Sequence, residues 1–152
     1  MLDRLTYLIR YPLLRIIYAL TWTTISLVLL LQSSAEPMIG PPAPPGAPPP
    51  DRELLLFVGH VVVFSIMTGL WWWAFLIVSP PKRALVIAVI AALLIGGVTE
   101  ILQVTTPSRE PSMEDLATNW LVTTATAWLI LTQFRRVHRL NRLQELPPDA
   151  LV

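Results

Sequence analysis

Residues 84–104 read ALVIAVIAALLIGGVTEILQV, 21 positions carrying a single formal charge, at Glu100. A helix rises about 1.5 Å per residue, so roughly 20 apolar residues cover the hydrocarbon of a bilayer. This stretch therefore reads as a transmembrane helix. It also has a texture: Ala84, Ala88, Ala92 and Gly96 recur every four residues and form one smooth stripe, which lets another helix approach closely. Working outward, residues 54–78 form a second apolar run with one histidine, His60. Residues 13–31 form another, broken only by Arg15. Residues 116–131 are shorter and richer in threonine, and they reach span length if the helix starts near Asp115 and ends at Gln133. The reading is an all-α, integral membrane four-helix bundle.

The whole-chain numbers agree. Of 152 residues, 54% are hydrophobic and 14% charged, with a mean hydropathy of +0.60. Soluble domains carry about a quarter charged residues, so a soluble globular enzyme and a disordered chain are both excluded. A formal net charge of +1 leaves little for neutralising phosphates, so nucleic acid is not an expected partner. The chain has no cysteine, which removes disulfides, thiolate metal sites and cysteine nucleophiles.

Lys and Arg set the orientation. With a cytoplasmic N-terminus, the inner side holds Arg4, Arg10, Arg15, Lys82, Arg83, Arg135, Arg136, Arg139 and Arg142, and the outer side only Arg52 and Arg109. Both termini are thus expected in the cytoplasm. Residues 1–12 place Leu2, Leu5 and Ile9 on one face and suit a short interfacial amphipathic helix ending at Pro12. Residues 13–134 form the four-span domain. Its outer loop, 33–53, holds eight prolines between positions 37 and 50 and should be extended chain, either a stiff linker or a docking strap. Residues 135–152 form a basic cytoplasmic tail. The Arg-rich start, apolar run and Ser33-Ser34-Ala35 also have the outline of a cleavable leader; the reading taken is an uncleaved first span. Trp71, Trp72 and Trp73 fall near the inner end of the second span and read as interfacial anchors, with a pigment or quinone contact as the other reading.

Polar groups inside the spans carry the functional question, because such residues are rare and costly in hydrocarbon. Antiparallel topology brings six to one outer level: His60 on the second span, Glu100 and Gln103 on the third, Arg109 in the following loop, and Asp115 and Asn119 at the start of the fourth. Glu100 and Gln103 are three apart and share a face, as do Asp115 and Asn119, four apart. Arg109 can pair with either acid, and His60, Gln103 and Asn119 can complete the hydrogen bonds. Each has a plainer reading. Ser112 followed by Asp115 fits a helix cap, and Asn119 or His60 can be an interhelical hydrogen-bonder. His60, Glu100 and Asp115 offer ligand types for zinc, but no spacing demands a metal, and none is expected. No cofactor is expected either.

This same stretch resembles the VanZ-like membrane family. Glu100, Gln103, Arg109, Asp115 and Asn119 match the family's pattern of Glu, two residues, Gln, five residues, Arg, five residues, Asp, three residues, Asn. His60 with Phe64 matches its His followed four later by an aromatic, and the likeness covers residues 58–122. Two positions depart: the Asp-Lys pair that often precedes the His is absent, and Val122 stands where a Gly usually follows the Asn. The resemblance implies a four-span protein of the bacterial cell envelope, from a family linked to low-level glycopeptide resistance.

Two functions follow as expectations. One is a non-catalytic accessory or structural subunit of a larger membrane complex of photosynthetic or respiratory type, with the polar cluster tying helices together. The other is an outward-facing site that binds or processes a lipid headgroup, an envelope precursor or a glycopeptide. In both, the bilayer of the bacterial inner membrane is the first partner.

Overall fold

A computed structural model describes residues 11–31, 52–105 and 112–144. They form four helices, α1 (Pro12–Leu30), α2 (Arg52–Phe75), α3 (Pro81–Gln103) and α4 (Met113–Gln144), with no strand among the described residues. Three expected features fall largely or wholly outside them: the interfacial segment over 1–12, most of the proline-rich loop over 33–53, and Arg109.

Prolines mark the helix starts. Pro12 and Pro81 each occupy the first helical position, where a missing N–H costs nothing, and the residues before them, Tyr11 and Pro80, are extended. α2 ends at Phe75, three residues short of the apolar run expected as its span. The chain then closes a turn through Leu76, Ile77 and Val78 into Ser79 and Pro80. Ser79 donates its N–H to the Phe75 carbonyl at 3.0 Å. Consecutive prolines supply no donors to continue the helix, and five residues leave room only for antiparallel neighbours.

α2 is the hub, packing against each of the other three helices, while α3 and α4 also pack on each other. Contacts between helices set their directions. Arg15 and Tyr18 of α1 lie against Trp73, and Leu30 lies against Gln103. His60 meets Asn119 and Ser65 meets Thr126, so α2 and α4 run parallel, with α1 and α3 antiparallel to them. One end of the bundle therefore holds Leu30, His60, Glu100, Gln103, Asp115 and Asn119. The other holds Arg15, Trp73, Pro81, Lys82 and Phe134.

The interior is polar to an unusual degree. A small apolar cluster of Leu30, Val63, Phe64 and Met67 sits at the centre. Around it Ser26, His60, Thr68, Thr99, Glu100, Gln103, Asn119 and Thr123 are buried, while Leu13, Leu94, Ile101, Leu121 and Trp128 are each more than 60% exposed. Apolar surface outward and polar groups inward is the arrangement suited to a lipid surround, in which every buried polar group must find a protein partner.

Three helices are long and apolar enough to cross a membrane: Pro12–Leu30, Phe57–Phe75 and Pro81–Gln103. α4 is not among them, so length and composition show three of the four expected spans. It has the length, at 32 residues, but its inward face is polar (Asp115, Asn119, Thr123), and averaging that face with the exposed Leu121, Trp128 and Leu129 lowers its hydropathy. α4 continues unbroken through Arg135, Arg136 and Arg139 to Gln144, so the start of the expected basic tail is helical. At about 1.5 Å per residue α4 is about 48 Å long, more than a bilayer's hydrocarbon needs.

Candidate functional site

The centre of the polar end is His60, 1% exposed. Its Nδ1 lies 2.7 Å from Asn119 Oδ1. An amide oxygen only accepts, so Nδ1 carries the hydrogen and donates it. The other ring nitrogen, Nε2, faces Asp115 Oδ2 at 3.8 Å. That is beyond hydrogen-bond range. Phe64, one turn along α2, lies parallel to the imidazole with ring centroids 6.3 Å apart and planes 3° apart. The ring thus has a fixed plane and a fixed donor.

Asn119 sits on α4 opposite Gly96 of α3. Gly96 makes that approach achievable: a Cβ there would lie 3.2 Å from Phe64 Cε1 and 3.4 Å from Asn119 Cβ. Ala84, Ala88, Ala92 and Gly96 are all buried, on the side of α3 turned to α2 and α4. At Gly97 an added Cβ meets nothing within 4 Å.

Glu100 and Gln103 share the buried face of α3 but reach different neighbours. Glu100 Oε2 accepts the backbone N–H of Ser112 at 3.1 Å, a donor at the start of α4 with no partner in its own helix. Ser112 Oγ in turn accepts the N–H groups of Glu114 and Asp115, both at 3.2 Å, and caps α4. Gln103 Nε2 donates to the Leu30 carbonyl at 3.1 Å, one of the carbonyls left open at the end of α1. Both side chains therefore close helix termini belonging to other elements.

At the opposite end the three tryptophans have separate duties. Trp71 Nε1 donates to Thr23 Oγ1 at 3.1 Å, and Trp72 Nε1 donates to the Pro81 carbonyl at 3.2 Å. The Arg15 guanidinium stacks 5.1 Å above the Trp73 ring, a cation–π contact. All three are half-buried. Their contacts hold α1 and the α2–α3 turn in place.

Five of the six residues singled out in the sequence fall within the described residues, and all five lie at one end. His60, Asn119 and Asp115 form one constellation, and Glu100 and Gln103 make separate helix-end contacts. Sequence reasoning missed Thr123, buried one turn below Asn119, and Trp22, whose Nε1 donates to the Val63 carbonyl at 3.1 Å. Spacing offered a signal for Thr123, four residues from Asn119. Trp22 had none, because nothing in α1 marks which side meets α2. Among the described residues, His60 Nε2, Asn119 Nδ2 and Thr123 Oγ1 are buried without a hydrogen-bond partner. No three His, Cys, Asp or Glu side chains there are grouped to hold a metal. Asp115, at 26% side-chain exposure, is the open edge of the constellation.

No protein-family model, curated protein or solved structure matches the chain.

Proposed function

We propose that this chain is a VanZ-like protein of the bacterial inner membrane with four spans and both termini in the cytoplasm. In this reading it serves as a non-catalytic accessory or structural subunit of a larger membrane complex. The observation that carries the non-catalytic part is where the polar side chains direct their bonds. His60 is bonded to Asn119, Glu100 to the start of α4, and Gln103 to the end of α1. These are contacts between helices of one chain, buried rather than presented in a cleft. Such groups hold helices in register in lipid, where apolar packing contributes no hydrophobic driving force.

Four spans are supported by α4 itself. Its exposed face offers Trp120, Leu121, Trp128 and Leu129 to lipid, and its polar face is covered by α2 and α3. Orientation is supported by charge: Arg15, Lys82, Arg83, Arg135, Arg136 and Arg139 all belong to one end of the bundle, and Glu100, Glu114 and Asp115 to the other. Lys and Arg favour the cytoplasmic side.

A second reading is favoured by one observation. Asp115 is part-exposed and its carboxylate faces the unpartnered Nε2 of a buried histidine. That pair is where an envelope ligand would touch the chain if the outer end is a binding or processing site.

Gentle extraction from native membranes, then native electrophoresis and mass spectrometry of the band, tests the proposal. Migration in a stoichiometric larger complex is the expected result. Migration as a free monomer would overturn it in favour of the envelope site.

A further inference from the structure

α4 runs past the other helices at the basic end. Phe134 borders the same small gap as Pro81 and Lys82 at the start of α3, and residues 135–144 continue as helix beyond that level. Residues 113–134 already rise about 33 Å, close to the thickness of the hydrocarbon. Residues 135–144 add about 15 Å, more than a headgroup layer of about 5–8 Å on one side. α4 contains neither Gly nor Pro, so it has no hinge at which to bend and lie along a lipid surface.

This extension has two sides. Val137 and Leu140, three apart, share a face and are 54% and 59% exposed. Val137 lies two turns past Ile130, so it prolongs the side of α4 that packs on the bundle, at a level where it is left uncovered. Arg136 and Arg139, both exposed, border Leu140, Arg136 one turn before it and Arg139 next to Arg136 across the helix surface. Arg135, two turns past the exposed Trp128, belongs instead to the outward side. Residues 116–144 include four arginines and no Asp or Glu, so the helix itself supplies no counter-charge.

We propose that residues 136–140 of α4 are a docking ridge for an acidic amphipathic helix of a partner subunit. Val137 and Leu140 lie against its apolar stripe, and Arg136 and Arg139 pair with its carboxylates. The proposal rests on the accessory-subunit reading above and names the chemistry of the partner. Charge selects an acidic occupant and disfavours a second copy, whose ridge carries the same arginines. A lipid surface would suit the arginines but would leave Leu140, about 9 Å past Phe134, in water.

Photocrosslinking in native membranes, with a benzophenone amino acid in place of Leu140 in the full-length chain, gives the first test. The expected product joins α4 to a partner segment with Asp or Glu beside apolar residues spaced three and four apart. A crosslink to lipid, to a second copy, or to a neutral or basic segment would overturn the proposal. The second test is native electrophoresis of gently extracted membranes. Arg136→Gln with Arg139→Gln should shift the balance from complex to free chain about tenfold, the scale of two exposed ion pairs. Arg136→Lys with Arg139→Lys should restore most of it, and Arg135→Gln, which removes a charge from the other side, should leave it nearly unchanged. Circular dichroism of each purified variant confirms that it is folded. If the parent chain runs in a larger complex and the double Gln variant stays there, the ridge is overturned and the subunit reading stands. If the parent chain itself runs free, both fall.

Discussion

His60 Nδ1 and Asn119 Oδ1 stand 59 residues apart in sequence and 2.7 Å apart in space, both fully enclosed. This bond joins α2 to α4 near one end of the bundle and fixes which imidazole nitrogen carries the hydrogen. Neither side chain has water to fall back on, so removing one strands the other.

His60→Ala or Asn119→Ala should each destabilise the folded chain by about 1–3 kcal/mol, the range for orphaning a buried polar partner. The double variant should cost less than the sum. A coupling energy of roughly 0.5–2 kcal/mol is expected from interhelical bonds in membranes. Unfolding titrations of the four proteins in mixed micelles measure it, and strict additivity would mean the bond contributes nothing.

Neighbouring glycines should respond oppositely. Gly97→Ala adds a methyl where nothing lies within 4 Å and should stabilise α3 by up to about 1 kcal/mol through helix propensity. Gly96→Val pushes into Phe64 and Asn119 and should cost about 1–3 kcal/mol by overpacking. It should also weaken the His60–Asn119 coupling, because Asn119 is one of the displaced groups. Thermal unfolding of both variants separates the cases; similar midpoints would show that α3 and α4 are not in close approach.

Ser112→Ala removes an acceptor shared by the N–H groups of Glu114 and Asp115. A loss of about 0.5–2 kcal/mol is expected, with Ser112→Asp restoring most of it as an alternative cap. Amide exchange at Glu114 and Asp115 reports the change locally, and unchanged protection in Ser112→Ala would show that the cap is not formed.

α1 depends on few ties. Only Ala19, Ser26 and Leu30 of its residues are buried, and its ties among the described residues include the bonds of Trp22 to the Val63 carbonyl, Trp71 to Thr23 and Gln103 to the Leu30 carbonyl, with Arg15 and Tyr18 against Trp73 at the other end. Trp22→Phe with Gln103→Leu should loosen α1 against the other helices at a cost of about 1–3 kcal/mol in total, taking about 0.5–1.5 for each bond. A cysteine pair placed across α1 and α2 should then crosslink more slowly, since this chain has no cysteine of its own. Crosslinking at the parental rate would place the attachment elsewhere.

Chemistry along the chain determined a great deal by itself. Uninterrupted apolar runs yield helices of membrane length, because a backbone in lipid must satisfy its own hydrogen bonds. Prolines at 12 and 80–81 set where α1 and α3 begin, because they lack the N–H and fix φ. Spacing of three and four was enough to place Glu100 with Gln103 and Asp115 with Asn119. What one-dimensional periodicity does not contain is the partner across a helix interface. Only the packed structure decided that His60 bonds Asn119 rather than an acid, that Glu100 and Gln103 close the ends of α4 and α1, and that Trp22 seats α1 on α2. It also decided the character of α4. An average along the chain mixes a polar face with an apolar one, and which face is covered depends on two other helices that the local sequence does not mention.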